Sequence, residues 1–169
     1  MNKDGIRRLA VSGMLTAVVV ALSGFSIPVG ASKCFPIQHM ANVLAAVLLG
    51  PWWGVAIAFC ASLVRNLIGT GTLLAFPGSM VGAFVCTLIY SKTKALIPTY
   101  IGEVVGTGVL GGLLAFPIET LVMGREAALF AYVVPFLVST AGGTIIAAFL
   151  IAVLEKTHAM SYLRNMLAQ

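Results

Sequence analysis

Apolar residues fall in long blocks along this chain, and polar residues are confined to short breaks between them. Six blocks stand out, near Leu9–Ile27, Phe35–Leu49, Trp52–Leu67, Leu73–Tyr90, Pro98–Val122 and Leu129–Leu154. Crossing the hydrocarbon core of a bilayer takes roughly 20 residues of helix, and most of the blocks approach that length. The alternating pattern of a barrel strand is missing. A chain in lipid must satisfy each backbone group inside its own helix or a closed barrel, so the blocks predict helices. The expected fold is an all-α integral membrane protein, a bundle of six transmembrane helices forming a single membrane domain over residues 1–169. The second and third blocks are short, which predicts tilt or partial shielding from lipid by their neighbours. Gly50-Pro51 predicts a tight turn between them, because proline disfavours helix at the residue before it.

Composition sharpens this picture. Hydrophobic residues make up 60% of the 169 and charged residues 9%, with a mean hydropathy of +1.05. A water-soluble domain of this size leaves too much of its chain in contact with solvent to hide that many apolar side chains. The net charge of +5 reads as a topology signal. With both termini cytoplasmic, Lys3, Arg7, Arg8, Lys92, Lys94, Lys156 and Arg164 lie inside, while Lys33, Arg65 and Arg125 lie outside. That seven-to-three split follows the positive-inside rule. The basic residues form no aromatic-interleaved patch, so a nucleic-acid partner is not expected. Lys3, Arg7, Arg8, the following apolar run and Val29-Gly30-Ala31 also resemble a cleavable signal peptide. The block is long for such a segment and carries a patterned small-residue face, so a retained first helix is expected.

Catalytic and metal signatures are missing. Cys34, Cys60 and Cys86 form no CxxC pair and no metal spacing with His39 or His158, so neither a disulfide nor a metal site is expected. Cys60 and Cys86 read as small packing residues, whereas Cys34 sits in the first outer loop, where it can line a site. Gly69-Thr70-Gly71-Thr72 lacks the lysine of a phosphate-binding loop, and no nucleophile elbow, HExxH or paired catalytic carboxylates occur. The chain is expected to be neither an enzyme nor an ATPase, with no cofactor.

Candidate chemistry therefore rests on polar residues kept inside or beside apolar blocks, where they are expensive. Gln38, His39 and Asn42 combine donors and acceptors at the start of the second block, a set suited to a small neutral ligand. Arg65 and Asn66 end the third block, where an arginine head can snorkel to water. Phe76-Pro77-Gly78-Ser79 opens the fourth, either as a kink with a small-residue face or as a bend around a ligand that offers Ser79. Glu103 has two readings: snorkelling or pairing with Lys92 or Lys94 at the inner rim, or a buried polar contact, with Thr107 one turn deeper on the same face. Tyr132 is either an interfacial belt residue or a ring stacked on a ligand. Gly13, Ala17 and Ala21 share one face of the first helix, where small side chains permit close approach of another helix, within the bundle or on another membrane protein.

These segments together resemble a known group. Six short spans, a small-residue first helix and no ATP motif are similar to the substrate-binding S components of energy-coupling factor transporters. Within that group, Lys33-Cys34-Phe35-Pro36-Ile37-Gln38-His39-Met40, Leu49-Gly50-Pro51-Trp52, Arg65-Asn66-Leu67-Ile68-Gly69-Thr70-Gly71-Thr72, Ala75-Phe76-Pro77-Gly78-Ser79 and Gly102-Glu103-Val104-Val105-Gly106-Thr107-Gly108 resemble the ThiW family. The likeness covers the first five blocks and is thin in the sixth. It implies uptake of hydroxyethyl-methylthiazole, the thiazole half of thiamin, across a bacterial plasma membrane. The implied partners are a transmembrane T component and two cytoplasmic ATPase subunits. It places the coupling face on the first helix, where Gly13 stands in a position the family fills with alanine. A neutral heterocycle with one hydroxyl asks for an aromatic slot, here Phe35, Phe76 and Tyr132, and a few oriented polar groups, here Gln38, His39, Asn42, Asn66 and Ser79. It does not demand the carboxylate of Glu103. The competing reading is a self-sufficient transporter or channel driven by protons through Glu103 and His39.

Overall fold

Prolines and glycines punctuate the helices. A computed structural model describes residues 3–29 and 32–168; of Lys3, Ser32 and Ala168 only the backbone is described. Helix α1 is Lys3–Ala21, α2 is Pro36–Leu48, α3 is Pro51–Leu67 and α4 is Ala75–Thr93. Pro36 and Pro51 each sit in the first helical positions, where the missing N–H costs nothing and the fixed φ suits the helix. Gly50, at φ 93°, makes the sharp turn between α2 and α3.

Helix α5 runs without a break over Leu96–Val122. It is α-helical over Leu96–Glu103 and Gly112–Pro117 and widens to π-helix over Val104–Gly111 and Ile118–Val122. Helix α6 spans Val133–Lys156, and a short α7 spans Ala159–Ala168.

The first block differs from expectation. Its helix starts earlier and stops at Ala21; Ile27–Val29 instead pairs antiparallel with Ser32–Cys34 as a small ribbon, β1 and β2. Ser23, whose hydroxyl donates to the Val20 carbonyl, helps turn the chain there. Helix α6 begins at Val133, past the expected Leu129, because residues 129–132 form turns. Helix α7, ten residues long, is too short and too polar to read as a span from the sequence. Gly30 and Ala31, where a signal cleavage site would fall, lie outside the described residues.

Helix α2 is the hub. Eleven of its thirteen residues are buried, and it packs on α1, α3, α4, α5 and α6. Its shortness follows from this position, since a helix shielded by its neighbours need not span lipid by itself. The main apolar core lies around it, with Met40, Val43, Leu44 and Val47 against Cys86, Tyr90, Ala147 and Ile151. Among the described residues, two helices, α5 and α6, are long and apolar enough to cross a membrane.

The two ends of the chain meet. Arg7 and Arg8 donate to the Met166 and Leu167 carbonyls at 3.0 and 3.4 Å, capping the C-terminal end of α7 with positive charge. Arg164 donates to the Tyr90 hydroxyl at 2.8 Å, which ties α7 to the end of α4.

Candidate functional site

A polar network and a small cavity lie where the starts of α2, α4 and α6, the end of α3 and the middle of α5 converge. Close backbone approach builds this place. A Cβ on Gly82 would collide with the Thr107 hydroxyl and lie 2.9 Å from Glu103 Oε2; one on Gly106 would come within 3.0 Å of the Gly82 Cα, and one on Gly111 within 2.7 Å of the Gly78 Cα. Glycine against glycine lets α4 and α5 touch along their backbones. On the other side, a Cβ on Gly143 of α6 would run into the Pro36 carbonyl and come 2.7 Å from the His39 Cβ.

Glu103 is wholly buried at this junction. Its Oε1 accepts from His39 Nδ1, Asn42 Nδ2 and the Thr107 hydroxyl, each at 3.0 Å. A carboxylate oxygen only accepts, so the hydrogen on the His39 ring sits on Nδ1, and in the neutral ring Nε2 is left as an acceptor. Thr140 of α6 donates to the Glu103 carbonyl at 3.3 Å. Asn42 also donates to the Ser79 carbonyl at 3.1 Å. The network thus gathers four helices around Glu103: α2 and α5 meet at its carboxylate, α6 reaches its backbone carbonyl, and α4 is joined through Asn42. Glu103 neither snorkels nor pairs with Lys92 or Lys94; helix α5 begins at Leu96, and the first two turns carry Glu103 inward onto α2.

Above the network is a cavity of about 50 Å³, lined by Phe35, Gln38, His39, Arg65, Thr72, Leu74, Ala75, Gly78, Ser79, Thr107, Phe136 and Ser139. Arg65 departs most from expectation. Its head does not snorkel: the side chain is 1% exposed, and the guanidinium lies 3.9 Å from the centre of the Phe35 ring. Its Nη1 donates to Gln38 Oε1 over a long 3.4 Å. Arg65 Nε and Nη2 and Gln38 Nε2 are buried with no partner among the described residues. The backbone under Arg65 is held firmly, since Thr70 and Gly71 both donate to its carbonyl at 2.9 Å. The glycine-rich stretch 69–72 is therefore a cap on the end of α3. Thr70 further ties it to Ser23 after α1, their hydroxyls 2.9 Å apart.

Five of the candidate residues line the cavity: Phe35, Gln38, His39, Ser79 and Thr107. Asn42 and Glu103 lie in the layer beneath. Three others are set apart. Asn66 donates to the Ser62 and Thr72 carbonyls and secures the α3–α4 turn. Phe76 packs against Phe59, ring centres 5.7 Å apart. Tyr132 stands against Phe136 at 6.1 Å and so touches the cavity wall only from behind. Arg65, Phe136 and Ser139 line it too, beside Thr72, Leu74, Ala75 and Gly78, and are not among the candidates; Arg65 is visible in the sequence as an arginine at an apolar helix end. Ser139 also accepts from the Phe35 N–H at 2.8 Å, fixing the residue that opens α2.

The cysteines divide three ways. Cys34 is buried on β2, donates to the Pro135 carbonyl at 3.1 Å and does not line the cavity; burial pushes its thiol above its ordinary value. Cys86 is a core residue. Cys60 is exposed rather than packed.

Gly13, Ala17 and Ala21 are exposed, and a Cβ on Gly13 would meet nothing within 4 Å. An apolar groove of about 400 Å³ runs along this face between α1 and α3, past Gly13, Thr16, Ala17, Trp53, Ala56 and Cys60. The small residues of α1 therefore do not serve packing inside the bundle.

A helical bundle with apolar outer faces and a buried, polar-floored cavity is the architecture of a membrane protein that handles a small molecule. The chain belongs to the ThiW family, described as thiamine-precursor transporter proteins, whose model matches residues 9–157. That is a family of transporters and not of enzymes. No curated protein and no solved structure matches the chain.

Proposed function

We propose that the chain is the substrate-binding S component of an energy-coupling factor importer and takes up hydroxyethyl-methylthiazole across a bacterial plasma membrane. In this reading all six helices α1–α6 span the bilayer as one domain, with both termini cytoplasmic. The meeting of Arg7 and Arg8 with the end of α7 supports termini on one side, and the positive-residue count supports that side being the cytoplasm. Cysteines placed at Lys92 should then react with an impermeant reagent only from the cytoplasm, and one at Lys33 only from outside. Reaction at Lys92 in intact cells would overturn the six-span arrangement.

The observation that carries the reading is the cavity. It lies at the end of the bundle away from the termini, walled by Phe35 and Phe136 and edged by Gln38, His39, Arg65 and Ser79. A flat heterocycle fits between aromatic walls, and its hydroxyl can donate to His39 Nε2. At about 50 Å³ the space suits a few waters, so a ring must open it by moving Phe136. Glu103 acts from beneath, holding His39 in the tautomer that accepts.

The exposed small-residue face of α1 supports docking on a T component, which with two ATPase subunits would power the movement. A second reading, proton-driven transport by the chain alone, has the buried His39–Glu103 pair in its favour, since such pairs form proton relays. Liposomes separate the two. The S-component reading expects thiazole accumulation only when the T and ATPase subunits and ATP are present. Accumulation by the chain alone under a proton gradient would contradict it.

A further inference from the structure

The buried donors of Arg65 and Gln38 remain unexplained by the network below them. We infer that Arg65 is the specificity-determining residue of the cavity: it receives the in-plane lone pair of a neutral heterocyclic nitrogen and rejects the same ring once that nitrogen is alkylated and cationic. This assignment presupposes that the cavity is the ligand site proposed above, and it adds the chemical form of the ligand.

Three observations carry it. Arg65 lines the cavity, yet is almost wholly buried, and its Nε and Nη2 lack any partner among the described residues. An unmatched buried donor is costly, and one on a cation more so, which makes an acceptor within the cavity the group that completes it. Next, no ion pair or hydrogen bond joins Arg65 to the Glu103 carboxylate: Oε1 takes His39, Asn42 and Thr107, and Oε2 has no partner among the described residues. Finally, the Phe35 ring lies against the guanidinium and the α3 cap holds its backbone, so the fork is fixed before a ligand arrives. Gln38 Nε2 supplies a further free donor.

A thiazole nitrogen offers a lone pair in the ring plane. In thiamin that nitrogen carries the link to the pyrimidine, so the ring is a cation with no lone pair. Set against Arg65, it would bring like charge to a buried site and leave the donors unmade. One arginine thereby separates a precursor from the finished vitamin.

The test is calorimetry on the purified full chain in detergent with four probes: hydroxyethyl-methylthiazole, its N-methylated thiazolium, the thiophene analogue lacking the nitrogen, and thiamin. In the wild-type protein the thiophene should bind about tenfold or more weakly than the thiazole, the loss of one buried hydrogen bond. The thiazolium and thiamin should bind weaker by on the order of a hundredfold or more, as an unpaired buried charge requires. Arg65→Gln should narrow the thiazole-to-thiazolium ratio, while Arg65→Lys, which keeps the charge and loses the fork, should keep rejecting the thiazolium. Thiazole and thiazolium binding equally well to wild type, or an unchanged ratio in a folded Arg65→Gln protein, would overturn the role of Arg65 and leave the thiazole reading standing. Failure of wild type to bind the thiazole while binding another of the four would overturn the thiazole reading itself.

Discussion

Small residues do opposite work on two faces of this molecule. Between α4 and α5, Gly82, Gly106 and Gly111 are pressed so closely that a single added methyl group would strike backbone or the Glu103 network. Along α1, Gly13, Ala17 and Ala21 face outward, and a methyl on Gly13 meets nothing. The same residue types at helical spacing thus build the interior in one place and leave a surface unfilled in the other. The difference teaches that a small-residue stripe takes its meaning from what opposes it. Inside, it lets two backbones meet around a buried carboxylate. Outside, it lines an open apolar groove between α1 and α3.

The strongest way to break the contrast is to disturb the interior. Glu103→Ala strands the His39, Asn42 and Thr107 donors and should cost about 3–5 kcal/mol, as removing one partner of a buried pair does. Thermal unfolding in detergent would register this as a large fall in Tm; an unchanged Tm would mean the network holds nothing together. Next in size is Gly82→Ala, expected to cost about 1–3 kcal/mol because the added carbon overpacks the α4–α5 contact. Its counterpart Gly13→Ala should change stability by no more than about 0.5 kcal/mol, as exposed substitutions do. Equal effects from the two glycines would erase the distinction between the faces. Comparable in size to the Gly82 effect, and sharper for function, is the cavity edge. His39→Ala or Gln38→Ala should weaken thiazole binding by about tenfold or more, since a hydrogen bond left unmade in a desolvated site costs about 1–3 kcal/mol. Unchanged affinity in both variants would remove that edge from the site.

Apolar blocks located the helices well where proline and glycine mark their ends, as at Pro36, Gly50 and Pro51. They failed where the helix is not apolar. Helix α1 begins among the charges at Lys3–Arg8, which a search for membrane-length blocks passes over, and α7 is too short and amphipathic to register. The π-helical widening at Val104–Gly111 has no signature beyond an abundance of glycine.

At the site, the order of residues named the chemistry better than its direction. Arg65 and Asn66 are neighbours in the chain, but successive helical residues point about 100° apart, so one enters the cavity and the other secures a turn. An arginine at a span end such as Arg65 can reach water by snorkelling, and the sequence alone does not show that it stays inside. Only the positions of Phe35 and the 69–72 cap, brought from elsewhere in the chain, keep it inside. Glu103 left two readings open because its depth depends on which helix faces it, and that is a tertiary fact.

The central claim is that ligand recognition lies in the interior and partner recognition on the outer face of α1. Ala17→Trp tests it most directly, because it fills the unoccupied face without touching the cavity. The purified variant should bind hydroxyethyl-methylthiazole with wild-type affinity and keep its Tm, yet fail to pull down the T and ATPase subunits and fail to support ATP-driven uptake in liposomes. Loss of ligand binding together with loss of stability would contradict the claim and return this face to the packing of the bundle.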